Sequence, residues 1–339
     1  MKALFVGFGN VAQKVAEILF VDRKRYPQLS GLDLTVIGII TNTRGSLVNY
    51  NGVDCRKALQ EIRDGGRFSW TNFELTHLKA LEAVQQLEYD VLVELSTLSI
   101  ADRGEPALSH VREALKRGKH VVTANKAPAA FAYDELSGLA KTHGVKFLHE
   151  STVMDGTPLF NLANAGLKGC LITGVSGVLN STTNFVLSRM EKGESIEEAV
   201  KVAQKEGFAE ANPNNDLEGW DAAAKIAVLA NALMGASLTP FDVDRQGITH
   251  VTVSEAQAAV KAGRSLKLIC RAKREGGTVR ASVKLEAIDR GHPFAPIHES
   301  GSIVMIETDL LAPFIIAETD PTLSDTAYGI LNDLLTLPA

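Results

Sequence analysis

The sequence has few cysteines, and their spacing does not fit the sites that cysteines usually form. Cys55, Cys170 and Cys270 are the three cysteines among the 339 residues. They lie too far apart for a metal-ligand motif, and their odd number does not complete a disulfide framework. We therefore interpret them as buried thiols in a reducing compartment, which points away from a disulfide-stabilised extracellular fold.

Long hydrophobic runs and clusters of basic residues are also missing. The apolar N-terminal run reaches Gly7 too early for a signal peptide, and no later run has the roughly 18 apolar residues of a membrane span. The formal net charge is −5, without a run rich in Lys and Arg, which argues against a nucleic-acid-binding surface. We expect a cytoplasmic protein that binds neither a membrane nor nucleic acid.

What the chain does have is the composition of a folded protein with more than one core. Hydrophobic residues account for 45% and charged residues for 22% of the sequence, both close to the average for globular proteins. A length of 339 residues exceeds what a single hydrophobic core usually organises, so two domains are expected.

Strands and helices alternate over the first 150 residues. The predicted strands are 3–6, 34–40, 90–95, 120–122 and 145–149, and the predicted helices include 106–117 and 133–142. Repeated strand and helix units of this kind form a doubly wound parallel sheet with right-handed crossovers. The N-terminal part is therefore predicted to be an α/β domain.

From about Thr152 the pattern changes to that of a second, α+β lobe. Segments 169–178 and 279–287 are rich in β-branched residues and predict a sheet, whereas 195–206, 221–234 and 254–262 have helical periodicity. An apolar stripe at 326–335 predicts a last helix that returns to the first domain. The expected domains are 1–150, completed by the C-terminal helix within 322–339, and 151–321.

A glycine-rich turn joins the first strand to the first helix. Gly7, Gly9 and Ala12 occupy the defined positions of the G-x-G-x-x-A dinucleotide fingerprint. Gly7 permits the turn, Gly9 lets a pyrophosphate approach the backbone, and Ala12 allows close packing of helix on strand. A purely structural turn is the alternative. The residues predicted to bind a cofactor in this Rossmann-type domain are Gly7, Phe8, Gly9, Asn10, Val11 and Ala12.

No acidic residue follows the second predicted strand, where NAD-binding domains carry an Asp or Glu for the ribose hydroxyls. The sequence there is Thr41-Asn42-Thr43-Arg44. Arg44, with the Thr41 and Thr43 hydroxyls, could hold a 2′-phosphate. This favours NADP(H), with NAD(H) as the second possibility; a solvated loop arginine is the alternative explanation of Arg44.

Three further segments follow predicted strands, at the sheet edge where ligands bind. We expect Ser96, Thr97 and Asn125 to contribute to the cofactor site. Lys126 could reach the nicotinamide or the substrate, or be an exposed lysine at a strand end. Glu150 and nearby backbone carbonyls could bind a monovalent cation, although a hinge with a capping acid explains them equally well.

Residues 207–225 combine a polar loop with the start of an Ala-rich helix. Asp221 and Lys225 are four residues apart, so they share a helix face. Such pairs are common on surfaces, but the flanking residues are apolar, and a partly buried Lys225 tuned by Asp221 could relay a proton. Glu210 and Asp216 precede the pair and suit a substrate ammonium, which indicates an amino-acid substrate.

With these residues identified, the chain resembles homoserine dehydrogenases over essentially its whole length. The family signature is matched at each defined position by Ala203-x-x-x-Gly207-Phe208-Ala209-x-x-Asn212-Pro213-x-x-Asp216-Leu217-x-Gly219-x-Asp221-x-x-x-Lys225. Segments 7–12, 123–126, 149–153 and 177–185 look like further family motifs in the same order.

The resemblance implies a reversible, NAD(P)-dependent hydride transfer between L-homoserine and L-aspartate 4-semialdehyde, a step of threonine and methionine biosynthesis. Lys126 and Lys225 would be active-site lysines, one of which moves the proton of the C4 hydroxyl, while Asp221 orients Lys225. The substrate-binding residues would be Glu210, Asp216, Asn180 and Thr182. A Na⁺ or K⁺ site would involve Glu150, Val153, Asp155 and Thr157, largely through main-chain oxygens. The family forms homodimers through the sheet of the second lobe.

The chain departs from the family pattern at two places. Ser181 stands where glycine is usual, and Met154-Asp155 replaces small residues. The chain ends soon after the returning helix, as expected of a short form without a C-terminal regulatory domain. Two alternatives follow: a dehydrogenase of another amino-acid alcohol or semialdehyde, which Ser181 and Met154 motivate, and a non-catalytic NADP-binding sensor, which the presence of both lysines disfavours.

Overall fold

The computed structural model describes residues 1–69, 76–206, 209 and 212–338. Its contacts divide the chain into two compact units. The first unit is Met1–Pro158 with Thr322–Ala339, and the second is Leu159–Pro321. Residues 151–158, which were expected in the second domain, therefore belong to the first unit. Within the described residues no helix is long and apolar enough to cross a membrane.

The structure contains the following strands and helices. The strands are β1 (Lys2–Val6), β2 (Thr35–Ile40), β3 (Leu47–Val48), β4 (Val91–Glu94), β5 (His120–Thr123), β6 (Phe147–Leu148), β7 (Ile172–Val178), β8 (Asp244–Arg245), β9 (Arg264–Glu275), β10 (Thr278–Asp289), β11 (Ser302–Thr308) and β12 (Phe314–Glu318). The helices are α1 (Asn10–Ala16), α2 (Cys55–Gly65), α3 (Ala80–Gln86), α4 (Ala107–Lys116), α5 (Ala127–His143), α6 (Leu159–Gly166), α7 (Ser181–Glu191), α8 (Ile196–Glu206), α9 (Asn214–Leu217), α10 (Trp220–Met234), α11 (Val253–Lys261) and α12 (Leu323–Leu335).

The first unit is built on a six-stranded sheet in the order β3-β2-β1-β4-β5-β6. All its neighbouring strands run parallel except β3, which is antiparallel to β2. This confirms the predicted doubly wound sheet. The chain leaves β1 towards β2 and later returns to β4 on the other side of β1, so the order of strands reverses between β1 and β4, where ligands bind in such folds.

Alternate residues of β1 enter two different cores, one on each face of the sheet. Ala3 and Phe5 pack with α1, α2 and α12, whereas Leu4 and Val6 pack with α3, α4 and α5. A strand buried on both faces needs apolar residues throughout, which is why β1 has a continuous hydrophobic sequence. Helix α12 presents Ala327, Ile330, Leu331 and Leu334 to the first core at helical spacing.

The second unit contains a mainly antiparallel sheet in the order β12-β11-β7-β9-β10-β8. Strands β9 and β10 have 12 residues each and pair along their whole length. Helices α7, α10 and α11 pack on this sheet. Sequence analysis identified β7 and β10 but missed β8, β9, β11, β12 and helix α7, so the sheet is larger than predicted.

Lys267 is a charged residue inside the buried part of β9. Its side chain is buried, with 1% of its surface exposed. The Nζ atom donates hydrogen bonds to Asn184 Oδ1, at 2.9 Å, and to the Ile297 carbonyl. These acceptors satisfy an ammonium inside the unit. Burial nevertheless lowers the pKa of Lys267 to about 8, because removal from water disfavours the charged form.

Lys267→Met is expected to change how stability depends on pH. A lowered pKa means that the charged Lys267 costs stability below pH 8, and that this cost disappears as the pH rises from about 8 towards 10.5. The free energy of unfolding of the parent, relative to the variant, should therefore rise by about 3 kcal/mol across that range. Denaturant titrations measure it, with the exposed Lys273→Met as the control. A constant difference would contradict the lowered pKa.

Candidate active site

The glycine turn after β1 is determined by a close approach of two strands. Gly7 has a φ of +97°, and a Cβ atom there would lie 2.5 Å from the Leu95 carbonyl oxygen. At Gly9, by contrast, no atom of the described residues would come within 4 Å of a Cβ atom. Gly9 also precedes α1 without a side-chain hydrogen bond to the helix N-terminus among the described residues. The turn therefore leaves room and backbone N–H groups for an anionic ligand.

A pocket of about 450 Å³ lies at the carboxyl ends of β1, β2 and β4. Its lining includes these residues predicted to bind the cofactor: Gly7, Phe8, Gly9, Thr41, Arg44, Ser96 and Thr97. The Phe8 ring is buried against Phe68, with the ring centroids 5.8 Å apart, so Phe8 offers its backbone rather than its ring to a ligand. Ala12 is buried in the core beneath the turn, as its small size predicts.

Arg44 is held beside the glycine turn by the loop that follows β2. Its Nη1 atom donates to the Phe8 carbonyl at 3.0 Å. Thr41 Oγ1 accepts from the Arg44 N–H and donates to the Gly45 carbonyl, at 3.0 and 2.6 Å. The Thr41 hydroxyl hydrogen is therefore used within the loop, whereas the Arg44 guanidinium, like Asn42 and Thr43, lines this end of the pocket.

Asn125 connects the two loops that follow β4 and β5. Its Nδ2 atom donates to the Ser96 carbonyl at 3.1 Å, and its Oδ1 accepts from the Ala127 N–H at 3.0 Å. Asn125 is itself buried and supports the Ser96 loop at the edge of the pocket. Lys126 follows directly and precedes the first turn of α5. Helix α5 begins at Ala127, earlier than the predicted start at residue 133. The earlier start was not predicted, because Ala127 and Pro128 show no helical spacing of apolar residues.

A buried acid and histidine at this edge were missed by sequence analysis. Glu94 ends β4 and is fully buried. Its Oε1 accepts from the Ser96 N–H at 2.8 Å, and its Oε2 lies 2.9 Å from Nδ1 of His110, which lines the pocket. The sequence feature that could have revealed this pair is Glu94 itself, an acidic residue at the end of an apolar strand.

Asn180 is the centre of the polar cluster in the second unit. Its Nδ2 atom donates to Asp216 Oδ1 at 2.7 Å and to Asp221 Oδ2 at 2.8 Å. Lys225 Nζ lies 3.4 Å from the same Asp221 oxygen and donates to the Leu179 carbonyl at 2.7 Å. The side chains of Lys225 and Asp221 are 16% and 12% exposed. The structure thus brings the predicted residues Asn180, Asp216, Asp221 and Lys225 together.

The turn between α9 and α10 positions the two aspartates of this cluster. Gly219 has a φ of +81°, and a Cβ atom there would lie 2.9 Å from the Gln246 carbonyl oxygen. A Cβ atom at Gly247 would lie 2.5 Å from the Leu217 carbonyl oxygen. Both glycines therefore allow the backbone of the turn to pack closely on its neighbour.

Thr182 and Glu210 are the remaining residues predicted to bind the substrate. Thr182 is buried in the first turn of α7, two residues after Asn180. Ser181, the departure from the family pattern, has its Oγ 3.5 Å from Ser302 Oγ. Glu210 lies outside the described residues.

The candidate cation segment follows Glu150 and is attached to α12. The Glu150 N–H donates to Asp333 Oδ2 at 2.9 Å, and Asp155 Oδ1 accepts from Thr326 Oγ1 at 2.7 Å. Asp155 has a left-handed φ of 49° and lies in a tight turn between Val153, which is buried, and Thr157, which is partly buried. Among the described residues no cluster of three or more His, Cys, Asp or Glu side chains could hold a metal. A cation here would therefore depend on main-chain oxygens.

The first unit has the features of a nicotinamide-dinucleotide-dependent oxidoreductase, and the comparisons with known proteins agree. The model of the homoserine dehydrogenase NAD-binding domain matches residues 7–150, and that of homoserine dehydrogenase matches residues 158–335. The homoserine dehydrogenase of Methanocaldococcus jannaschii is 36% identical over 338 residues, covering 99% of this chain and 98% of the relative. The NAD(+)-dependent homoserine dehydrogenase of Pseudomonas canavaninivorans is 34% identical, covering 98% and 95%.

Solved structures give the same result. A putative homoserine dehydrogenase from Archaeoglobus fulgidus aligns with a TM-score of 0.85 at 34% identity, covering 98% of both chains. A hyperthermophilic archaeal homoserine dehydrogenase in complex with NADPH aligns with a TM-score of 0.84 at 27% identity, covering 99% of this chain and 97% of that one. The chain belongs to the homoserine dehydrogenase family. It is an NAD(P)-dependent oxidoreductase that interconverts L-homoserine and L-aspartate 4-semialdehyde.

The two glycines of the turn should respond differently to a methyl group. Gly7→Ala places a Cβ atom against Leu95 in a left-handed conformation, which costs roughly 2 kcal/mol or more and should lower the unfolding midpoint by at least about 4 °C. Gly9→Ala should leave the midpoint unchanged but weaken NADPH binding, because Gly9 lines the pocket. Thermal unfolding and NADPH fluorescence titration measure both; equal midpoints for the two variants would contradict this account of the turn.

Proposed function

We propose that the two units divide the reaction between them. The first unit, Met1–Pro158 with Thr322–Ala339, binds the dinucleotide, and the second unit, Leu159–Pro321, binds the amino acid. The observation that carries this proposal is the cluster of Asn180, Asp216, Asp221 and Lys225, in which a lysine and two carboxylates are held in fixed positions. Catalytic groups work best when their geometry is established before the substrate binds.

Lys225 is the group that this geometry favours for moving the proton. The Leu179 carbonyl and Asp221 hold its Nζ atom, so the amine does not have to be ordered during the reaction. During reduction of the aldehyde the Lys225 ammonium donates a proton to the C4 oxygen, and during oxidation the neutral amine accepts it. The bound dinucleotide supplies or accepts the hydride. Lys126, at the carboxyl edge of the first sheet, contributes a second cationic group.

The acidic residues of the cluster suit the ammonium group of the substrate. Asp216 shares the Asn180 amide with Asp221, and carboxylate oxygens accept more than one hydrogen bond. Asp216 and Glu210 are therefore proposed to bind the substrate ammonium, with Asn180 and Thr182 forming the adjoining wall. An ammonium bound by carboxylates explains why an amino acid is selected.

Lys225→Ala and Lys126→Ala are each expected to lower kcat by at least about 100-fold, the low end of general acid–base contributions. The measurement is the absorbance of the reduced cofactor with L-homoserine as substrate. Lys201→Ala, an exposed lysine of α8, serves as the control and should keep the parent rate. Turnover close to that of the parent in both active-site variants would show that the roles are wrongly assigned.

We also propose a preference for NADP(H), with NAD(H) as the weaker cofactor. Arg44 stands at the end of the pocket, and residues 41–44 include no carboxylate that would repel a 2′-phosphate. A neighbouring pocket of about 470 Å³ is lined by Arg67 and Lys79 as well as by the loop after β2. One relative is named as NAD(+)-dependent, and one similar structure contains NADPH. Because these relatives differ in their cofactor, the proposed preference for NADP(H) rests on this chain's own residues.

Arg44→Ser should change cofactor selectivity more than stability. Loss of a charge-assisted hydrogen bond to the 2′-phosphate is expected to raise the dissociation constant of NADPH by about 10- to 100-fold, while that of NADH stays within about twofold. Fluorescence titration with both cofactors measures the ratio. Arg56→Ser, an exposed arginine of α2, is the matched control. An equal loss of affinity for NADH and NADPH would contradict a role for Arg44 in selecting the phosphate.

Three further proposals concern assembly, ions and location. A homodimer formed through the second unit is supported by exposed apolar residues on the edge strand β12 and at the adjacent ends of β7 and β11, namely Ile315, Leu171, Leu310 and Leu311, and sedimentation velocity measures it. Glu150 with the main-chain oxygens of Val153, Asp155 and Thr157 is proposed to bind Na⁺ or K⁺, which activity with and without each salt would show.

The buried free thiols of Cys55 and Cys270 support a cytoplasmic location, which fractionation tests.

A further inference from the structure

The Glu94 and His110 pair is a buried ionisable group that the proposed mechanism does not use. Glu94 is fully buried and His110 is 3% exposed. They lie at the end of β4, beside the point where the strand order reverses between β1 and β4. Buried acid and histidine pairs contribute little to stability relative to apolar side chains of the same size. Stability alone therefore does not explain why an acid and a histidine stand here in place of apolar side chains.

The position of His110 indicates a ligand instead. His110 lies on α4, where its neighbours Leu108 and Val111 pack into the core, yet His110 itself lines the pocket together with Ser96 and Thr97. Its Nδ1 atom is engaged by Glu94 at 2.9 Å. The ring nitrogen that remains for a molecule in the pocket is Nε2.

Glu94 also determines what kind of hydrogen bond Nε2 can form. The carboxylate accepts from the Ser96 N–H through Oε1. Because a carboxylate can only accept, its contact with His110 through Oε2 assigns the imidazole hydrogen to Nδ1. A neutral imidazole that carries its hydrogen on Nδ1 has an acceptor at Nε2. A ribose hydroxyl or an adenine amino group has the matching donor, whereas a phosphate oxygen does not.

We propose that His110 binds the dinucleotide directly, accepting a hydrogen bond from a ribose hydroxyl or the adenine amino group at Nε2, and that Glu94 is a positioning residue that fixes the imidazole tautomer. Glu94 does so while holding the Ser96 loop at the same edge of the pocket. This inference rests on the proposed binding of the dinucleotide in the first unit.

The first test uses His110→Asn. The asparagine amide nitrogen comes close to the position of Nδ1 and can still donate to Glu94, but it offers no group at the position of Nε2. The dissociation constant of NADPH, measured by fluorescence, should increase by about 3- to 10-fold, as expected for one lost hydrogen bond. The unfolding midpoint without cofactor and the KM for homoserine at saturating cofactor should stay close to those of the parent.

The second test uses Glu94→Gln, which changes Nε2 of His110 indirectly, by altering which ring nitrogen carries the hydrogen. The glutamine oxygen can accept from the Ser96 N–H while its nitrogen donates to Nδ1, so that the imidazole hydrogen moves to Nε2 and the acceptor becomes a donor. NADPH binding should weaken by a similar factor. In the double variant no loss beyond that of His110→Asn is expected, because Glu94 acts on the cofactor through His110.

These outcomes separate the inference from the proposal on which it rests. If His110→Asn and Glu94→Gln bind NADPH with the affinity of the parent while Gly9→Ala binds it weakly, His110 has no role and the pocket assignment stands. If Gly9→Ala also binds NADPH normally, the pocket assignment fails and this inference fails with it. If His110→Asn lowers the unfolding midpoint, NADPH binding by Glu94→Gln decides whether His110 contacts the cofactor. Additive losses of NADPH affinity in the double variant would overturn the positioning role of Glu94.

Discussion

The Asn180 amide is the interaction on which the polar cluster of the second unit depends. Its nitrogen is hydrogen-bonded to one oxygen of Asp216 and one of Asp221, and its oxygen accepts from the Thr183 N–H at the start of α7. Two like charges can be kept close together in a partly buried place only when donors offset their repulsion. Asn180 and Lys225 supply those donors, so the helix start, the two acids and the lysine are positioned together.

In the first unit, the constraint that positions the pocket is the close approach of Gly7 to Leu95. This contact joins the ends of β1 and β4 and excludes any side chain at Gly7. Asn125 then ties the loop after β4 to the start of α5, and Glu94 ties the same loop to His110 on α4. Because these buried polar groups are connected, the loops that line the pocket are ordered before a dinucleotide arrives.

How well the sequence predicted each element depended on burial and local spacing. The parallel strands were predicted because both of their faces are buried, which requires continuous apolar runs. Strand β9 was missed because charged residues, among them the buried Lys267, interrupt its apolar sequence, although two acceptors from distant segments satisfy that lysine. The contact between Asp221 and Lys225 was predicted from their separation of four residues, which the helix turns into proximity.

By itself, the sequence determined the alternating strands and helices of the first unit, the glycine turn, the Asp221 and Lys225 pair and the family signature. Each of these depends on spacings along the chain that the geometry of a strand, turn or helix converts directly into contacts. Only the tertiary structure decided that Asn180 contacts acids 36 and 41 residues away, that Arg44 binds the Phe8 carbonyl, and that Glu94 meets His110. These pairs depend on how separate elements pack, which no local periodicity encodes.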